Sequence, residues 1–418
     1  MTKILDQASP LLLSVLIPTR NRGEYLRFAI QSALNIKSLD IEVIVSENFG
    51  SDDGWEVANS FKDPRLKVIR PDKPLPMHEN FELLLERAKG LWITFIGDDD
   101  AIMPHSVDYL TYITAKYPEC EAIVTPRAYY FWESAYQDNE PPSCNFSFSH
   151  KENWRDSKEE LKKCLDGLIN YIDLPQIYSG GFQHRSLVKR VTHLQGGKYF
   201  RSVTPDAYSA VMGVLHTYRY LEVGVPLTWI GTSPNSDHKG KKSTAKNRYD
   251  DFFGMESEAS LVMNRCLGKE YKKWAFLLYF YESYLAAAPF TSVQELSYSQ
   301  IQRISNLCSK SLVIKGDVEG AMVIAKSLGV RPLSTKKVNR LIRRGTSQWP
   351  YWTLNKILSK LQRLCREIIP LSVLQEQNAT FYIERKLAGD DCPNILSSNT
   401  VLNETYYTYK QRLNPASD

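Results

Sequence analysis

Apolar and polar positions along the first 125 residues switch back and forth between two periods. Strand-like apolar runs lie at 12–17 (LLSVLI), 41–45 (IEVIV), 66–70 (LKVIR), 91–96 (LWITFI) and 121–125 (EAIVT). Between them, segments at 24–35, 53–61, 78–89 and 105–116 place apolar residues three and four apart, the spacing of one helix face. Strands and helices alternating at this length predict an α/β fold with a mostly parallel sheet flanked by helices on both faces. In such sheets the ligand sits beyond the carboxyl ends of the strands, so the residues that follow each strand are the first candidates for chemistry.

The pattern dissolves at 126–160 into aromatic and polar sequence (YYFWESAYQDNEPPSCNFSFSH), which predicts an excursion or flexible loop near the site. Order returns at 158–172, with a helical stretch at 205–219 and a strand-like LTWI at 227–230. Beyond 245 the character is helical, at 252–267, 270–287, 297–311, 317–328 and 352–368. These segments divide the chain into an α/β domain at 1–245 and a mainly helical C-terminal domain at 246–418.

Composition narrows the classes. At 418 residues with 43% hydrophobic content the chain has the material for two packed domains. A net charge of +5 is far from the one-sided balance of a protein that binds a phosphate backbone, so no nucleic-acid partner is expected. Seven cysteines, widely spaced and without a C-x-x-C pair, suit free thiols and a reducing cytoplasm. The longest apolar stretch, Trp274 to Phe290, is interrupted by Glu282 and closed by Pro289, short of the ~20 residues a spanning helix requires.

Candidate chemistry sits where the topology predicts it. The strand at 91–96 runs into Gly97-Asp98-Asp99-Asp100, with Pro104 opening the next helix. Three adjacent acids repel one another unless a cation compensates, and carboxylates are the ligands Mn²⁺ or Mg²⁺ prefers; the alternative is that they cap the helix that follows. The first strand ends in Pro18-Thr19-Arg20-Asn21-Arg22-Gly23 and the second in Glu47-Asn48, followed by Asp52. Such polar groups can bond a nucleobase and ribose, with Arg20 and Arg22 meeting phosphate, although residues of these types are also ordinary caps. The glycine-rich phosphate loops G-x-G-x-x-G and G-x-x-x-x-G-K-[ST] are missing, which again points to a metal for holding diphosphate.

Together these three segments resemble the family 2 glycosyltransferases, in which a first strand ends in P-T-x-N-R, a second in D-N/D-x-S-x-D and a third in a D-x-D-type acid cluster. The resemblance covers about residues 12–240 and includes Asn80 and Ala88-x-Gly90 ahead of the acidic strand. It implies a GT-A (Rossmann-like) fold and an inverting transfer from a nucleotide-sugar donor, UDP-sugars favoured, to a glycan or lipid-linked acceptor in polysaccharide assembly. By it, Pro18, Thr19, Arg20, Glu47, Asn48 and Asp52 would line the nucleoside pocket and Asp98 to Asp100 would serve ribose and metal. Two departures stand out: Glu47 replaces the usual Asp, and the column that often holds the first acid is Gly97. Aligned on Pro104, Asp99 is the metal candidate, whereas a literal D-x-D selects Asp98 and Asp100.

Thr204-Pro205-Asp206 resembles the family's acceptor region, which makes Asp206 the candidate base; a helix cap is the alternative. His238, beside Lys239, Lys241 and Lys242, can complete a metal shell or stay solvated. Residues 349–368 combine Trp349-Pro-Tyr351-Trp352 with a basic amphipathic helix, which can lie on the inner face of an anionic membrane as a peripheral contact or pack on its own domain. The rival from another class is a non-catalytic nucleotide-sugar-binding or scaffold subunit.

Overall fold

The computed structural model describes residues 11–178, 180–234, 236, 276–291, 295–314, 317–346 and 382–413. The first half follows the expected alternation: β1 (Leu13–Thr19), α1 (Gly23–Leu34), β2 (Ile41–Glu47), α2 (Gly54–Ser60), β3 (Leu66–Ile69), α3 (Met77–Leu85), β4 (Trp92–Phe95), β5 (Ala101–Ile102), α4 (Ser106–Lys116) and β6 (Ala122–Val124). Then come β7 (Ala128–Phe131), β8 (Ser143–Ser149), β9 (Glu152–Asp156), α5 (Ser157–Leu165), β10 (Gly181–His184), α6 (Arg185–Leu194), α7 (Pro205–His216), β11 (Arg219–Val223) and β12 (Thr228–Thr232).

Among the described residues an eight-stranded sheet has the order β3-β2-β1-β4-β10-β6-β11-β9. Its first four strands are parallel, as the periodicity predicts, while β10 runs antiparallel to both β4 and β6 and β9 runs antiparallel to β11. The sheet is therefore mixed beyond β4. Alternate residues of one strand enter opposite cores: Leu16 and Ile44 pack with Phe95 and α7 on one face, and Val15, Ile17, Val43 and Val45 with α1 and α4 on the other. Burial on both faces is why these strands read as continuous apolar runs. Gly90, just before β4, is set by a close approach, since a Cβ there would stand 2.4 Å from the Ser14 backbone nitrogen.

The segment expected as a loop at 126–160 instead contains β7, β8 and β9. In β8 Cys144, Phe146 and Phe148 are buried and the residues between them are not, a period of two within the aromatic-polar sequence. After 245 the described helices are α8 (Phe276–Ala287), α9 (Tyr298–Ile314), α10 (Val318–Ser327), α11 (Thr335–Thr346) and α12 (Ile395–Leu413). The expected helices at 252–267 and 352–368 lie outside the described residues, as does the boundary at 245. A thirteenth strand, β13 (Tyr382–Ala388), pairs antiparallel with β8 and joins a second sheet, β13-β8-β7-β12-β5. None of the described helices is long and apolar enough to cross a membrane.

Candidate active site

Parallel pairing brings the carboxyl ends of β1, β2 and β4 to one edge of the sheet. There Thr19 Oγ1 donates to Asp98 Oδ2 at 2.9 Å, tying the end of the first strand to the acid run after the fourth. Arg22, at the N-cap of α1, sends Nη1 to Asp98 Oδ1 at 2.7 Å and to Asp99 Oδ1 at 3.2 Å. The other Asp99 oxygen accepts from Ser233 Oγ at 2.8 Å and Ser236 Oγ at 2.5 Å. Asp100 turns away, accepting from the backbone nitrogens of Gly97 and Gly231, both at 2.7 Å.

The local chain explains these directions. The turn at 97–100 delivers Ala101 and Ile102 into β5, which pairs with Trp229 and Thr228 of β12. That pairing presses Gly231 against the Asp99 carbonyl, where a Cβ would stand 1.7 Å from the oxygen. Trp132 Nε1 donates to the same carbonyl at 2.9 Å. Gly97, the position where an acid is often found, is closed to any side chain: a Cβ would lie 2.9 Å from the Tyr178 hydroxyl and 3.1 Å from Asp100 Oδ2.

All three acids are buried, which disfavours their charged forms. Burial pushes Asp98 up to about 6, held back by the Arg22 guanidinium. Burial and then the neighbouring Asp99 carboxylate push Asp100 up to about 7.

The residues expected to line a nucleoside pocket are gathered at this edge, but several have their polar groups bonded within the protein. Glu47 accepts from Gly50 N at 2.5 Å and from Arg70 Nε at 2.6 Å, and Arg70 lies over the rings of Phe49 and Trp55. Asn48 exchanges two bonds with the Leu75 backbone, each 2.8 Å. Asp52 accepts from Gly23 N at 2.7 Å and Gly54 N at 3.2 Å. Pro18 and Arg20 are half-buried at the end of β1, and Arg20 Nε is buried with no hydrogen-bond partner among the described residues.

Asp206 stands in the first turn of α7, where Pro205 occupies a position that needs no N–H. Its Oδ2 accepts from the Tyr171 hydroxyl at 2.6 Å. Burial raises the Tyr178 phenol well above the usual range, and Asp100, Asp99, Asp98 and Asp206 all add to the rise. Tyr171, Tyr178, Ser233, Ser236 and Arg70 are site residues that sequence patterns did not single out. Ser233 had a usable signal, because it follows the end of β12 as Asp98 follows β4. The tyrosines had none.

As arranged, the described residues do not fit a divalent ion. Every carboxylate oxygen of Asp98, Asp99 and Asp100 already faces a protein donor, and no group of three or more His, Cys, Asp or Glu side chains among the described residues is disposed to hold a metal. Arg22, backbone N–H groups and hydroxyls offset part of the repulsion within the acid run. His238 lies outside the described residues, as do residues 349–368.

Comparison with known proteins agrees with the strand-end motifs. The family model described as Glycosyl transferase family 2 matches residues 14–173. A GalNAc(5)-diNAcBac-PP-undecaprenol beta-1,3-glucosyltransferase of Campylobacter jejuni is 34% identical over 101 residues, 23% of this chain and 33% of that protein. The UDP-Glc:alpha-D-GlcNAc-diphosphoundecaprenol beta-1,3-glucosyltransferase WfaP of Escherichia coli is 29% identical over 89 residues, 21% of this chain and 36% of that protein. The matches thus span about a third of the length of these curated relatives. A crystal structure of S. aureus TarS 1-349 in complex with UDP-GlcNAc aligns with a TM-score of 0.43 at 12% identity, over 76% of this chain and 92% of that one. The N-terminal part of the chain, residues 14–173, is a family 2 glycosyltransferase domain.

Proposed function

We propose that this protein is a glycosyltransferase that moves a sugar from a nucleotide-diphosphate sugar to a hydroxyl of a lipid-linked glycan. The observation that carries this reading is the strand-end cluster of Thr19, Arg22, Asp98 and Asp99 on one side and the Asp206 carboxylate held by the Tyr171 hydroxyl on the other. One side offers ribose and phosphate contacts; the other offers a base. The two curated relatives, whose names describe glucosyl transfer to diphosphoundecaprenol-linked sugars, favour a UDP-hexose donor and a polyprenyl diphosphate carrier.

The reaction is a single displacement with inversion. The acceptor oxygen forms its bond to the anomeric carbon as the bond to the diphosphate oxygen breaks, and the diphosphate leaves with the electron pair. Asp206 takes the acceptor's proton, and the Tyr171 hydroxyl holds the carboxylate oxygen that it bonds. Work at the inner face of a membrane, with contact through residues 349–368, belongs to the same proposal.

The test is a transfer assay over UDP-, GDP-, dTDP- and CMP-sugars with a polyprenyl-diphosphate-linked sugar as acceptor, alongside donor binding by thermal shift. Asp206→Asn is expected to lower transfer about 10²–10⁴-fold, the usual contribution of a general base, while leaving donor affinity unchanged. Full activity in that variant would remove Asp206 from the mechanism. A wild-type chain that binds a donor without transferring or hydrolysing it would instead be a binding or scaffold subunit.

A further inference from the structure

Each carboxylate oxygen of the acid run faces at least one donor among the described residues. Among the described residues, the only cation that its six carboxylate oxygens face is Arg22, whose Nη1 lies 2.7 Å from Asp98 Oδ1 and 3.2 Å from Asp99 Oδ1. The four others accept from Thr19, from Ser233 with Ser236, from Gly97 N and from Gly231 N. A hard divalent ion needs several oxygens at roughly 2.0–2.6 Å, and the edge where two carboxylates come nearest to sharing one is the edge the guanidinium covers.

We propose that Arg22 is the resident counter-cation of this site and competes with any divalent ion for the Asp98–Asp99 pair. The placement is built in by the fold: Arg22 is the N-cap of α1, its side chain is only 18% exposed, and Thr19 three residues earlier fixes Asp98 from the other side. The same charge that offsets the acids' repulsion therefore opposes a second cation by like-charge repulsion. The inference rests on the proposed transfer only for why a divalent ion would matter here.

The experiment measures Mn²⁺ binding to the full-length protein without nucleotide, by the electron paramagnetic resonance signal of free Mn²⁺. Competition predicts that Arg22→Gln binds Mn²⁺ at least about tenfold more tightly than wild type, since a unit charge a few ångströms away at a partly buried site is worth that much or more. Arg20→Gln, which removes the same charge from the same strand end, is expected to change the affinity less. Equal or weaker Mn²⁺ binding by Arg22→Gln, or an equal gain from both variants, overturns the proposal. Should Arg22→Gln not fold, Arg22→Met keeps the aliphatic stem and is read in the same way. Wild-type protein gives an independent reading: tight Mn²⁺ binding without nucleotide, in the micromolar range, contradicts a site already held by a cation. Donor binding by thermal shift separates the two levels, because its absence sinks the proposed transfer, while its presence with unchanged Mn²⁺ affinity in Arg22→Gln sinks only the role of Arg22.

Discussion

Tyr171 and Asp206 are 35 residues apart in sequence and 2.6 Å apart in space, with the tyrosine hydroxyl almost fully buried beside the one carboxylate proposed to accept a proton. A charge-assisted bond of this kind holds its acceptor in one orientation, and general-base catalysis is sensitive to orientation. Tyr171→Phe removes the hydroxyl and keeps the ring that stacks on Phe280. The expected result is a kcat lowered about tenfold with donor KM and thermal stability little changed, the loss being one hydrogen bond to a charged group. Steady-state kinetics with unfolding curves on the same preparations would check it, and a fall in stability matching the fall in kcat would make Tyr171 structural instead. At this scale the sequence was informative about residue type and position: Asp98, Asp99 and Asp206 stand where strand ends and a helix start predict them. It was silent on partners. Glu47, Asn48 and Asp52 looked equally available for a ligand, yet their described bonds go to Arg70, Gly50, the Leu75 backbone, Gly23 and Gly54.

Among the elements, α8 packs along α7 and brings Glu282 into the core beside Ser202. Both carboxyl oxygens of Glu282 are buried without a hydrogen-bond partner among the described residues, and burial holds its pKa well above the usual 4.5. The folded state therefore keeps this proton longer than the unfolded chain does. The group's contribution to stability is fully present below about pH 4.5 and declines as the pH rises toward its folded value. Glu282→Gln carries no ionisable group, so the fall in Tm between pH 5 and pH 8 is expected to be shallower than in wild type. Thermal unfolding by circular dichroism at both pH values tests this, and parallel curves would place the Glu282 carboxyl in contact with water. The same scale explains the strands that were missed. β8 alternates Cys144, Phe146 and Phe148 inward with polar residues outward, a short signal masked by the proline-rich, acidic stretch before it.

Across the whole molecule, the last described residues return to the first half of the chain. β13 pairs with all seven residues of β8, and the segment after it adds Cys392, Ile395 and Leu402 to a core with Tyr25, Ala101 and Trp229. Asn399 accepts from Trp229 Nε1 at 2.8 Å and donates to the Ile102 carbonyl at 2.9 Å, and Tyr406 stacks on His105. A chain ended at 245 would leave β8 as an open edge and expose that apolar face, a combination that promotes association. Such a truncation is expected to unfold at a lower temperature than the full chain and to aggregate, as measured by differential scanning calorimetry and size-exclusion chromatography. A monomeric 1–245 fragment with the Tm of the full chain would show that the division expected at 245 is a true domain boundary.

By itself, the sequence determined the alternation of strands and helices through residue 125, the parallel half of the sheet, and the placing of candidate acids at strand ends. These are properties of neighbouring residues: a period of two or 3.6, an apolar run buried on both faces, a polar residue where the strand stops. Only the tertiary structure decided how the acid run is neutralised and how the chain closes on itself. Arg22 reaches Asp98 across 76 positions, Ser233 reaches Asp99 across 134, and β13 finds β8 from more than 230 positions away. A carboxylate carries the same pattern in sequence whether its partner is a metal, a guanidinium or a backbone N–H. The choice among them is made by which donor the fold brings within about 3 Å.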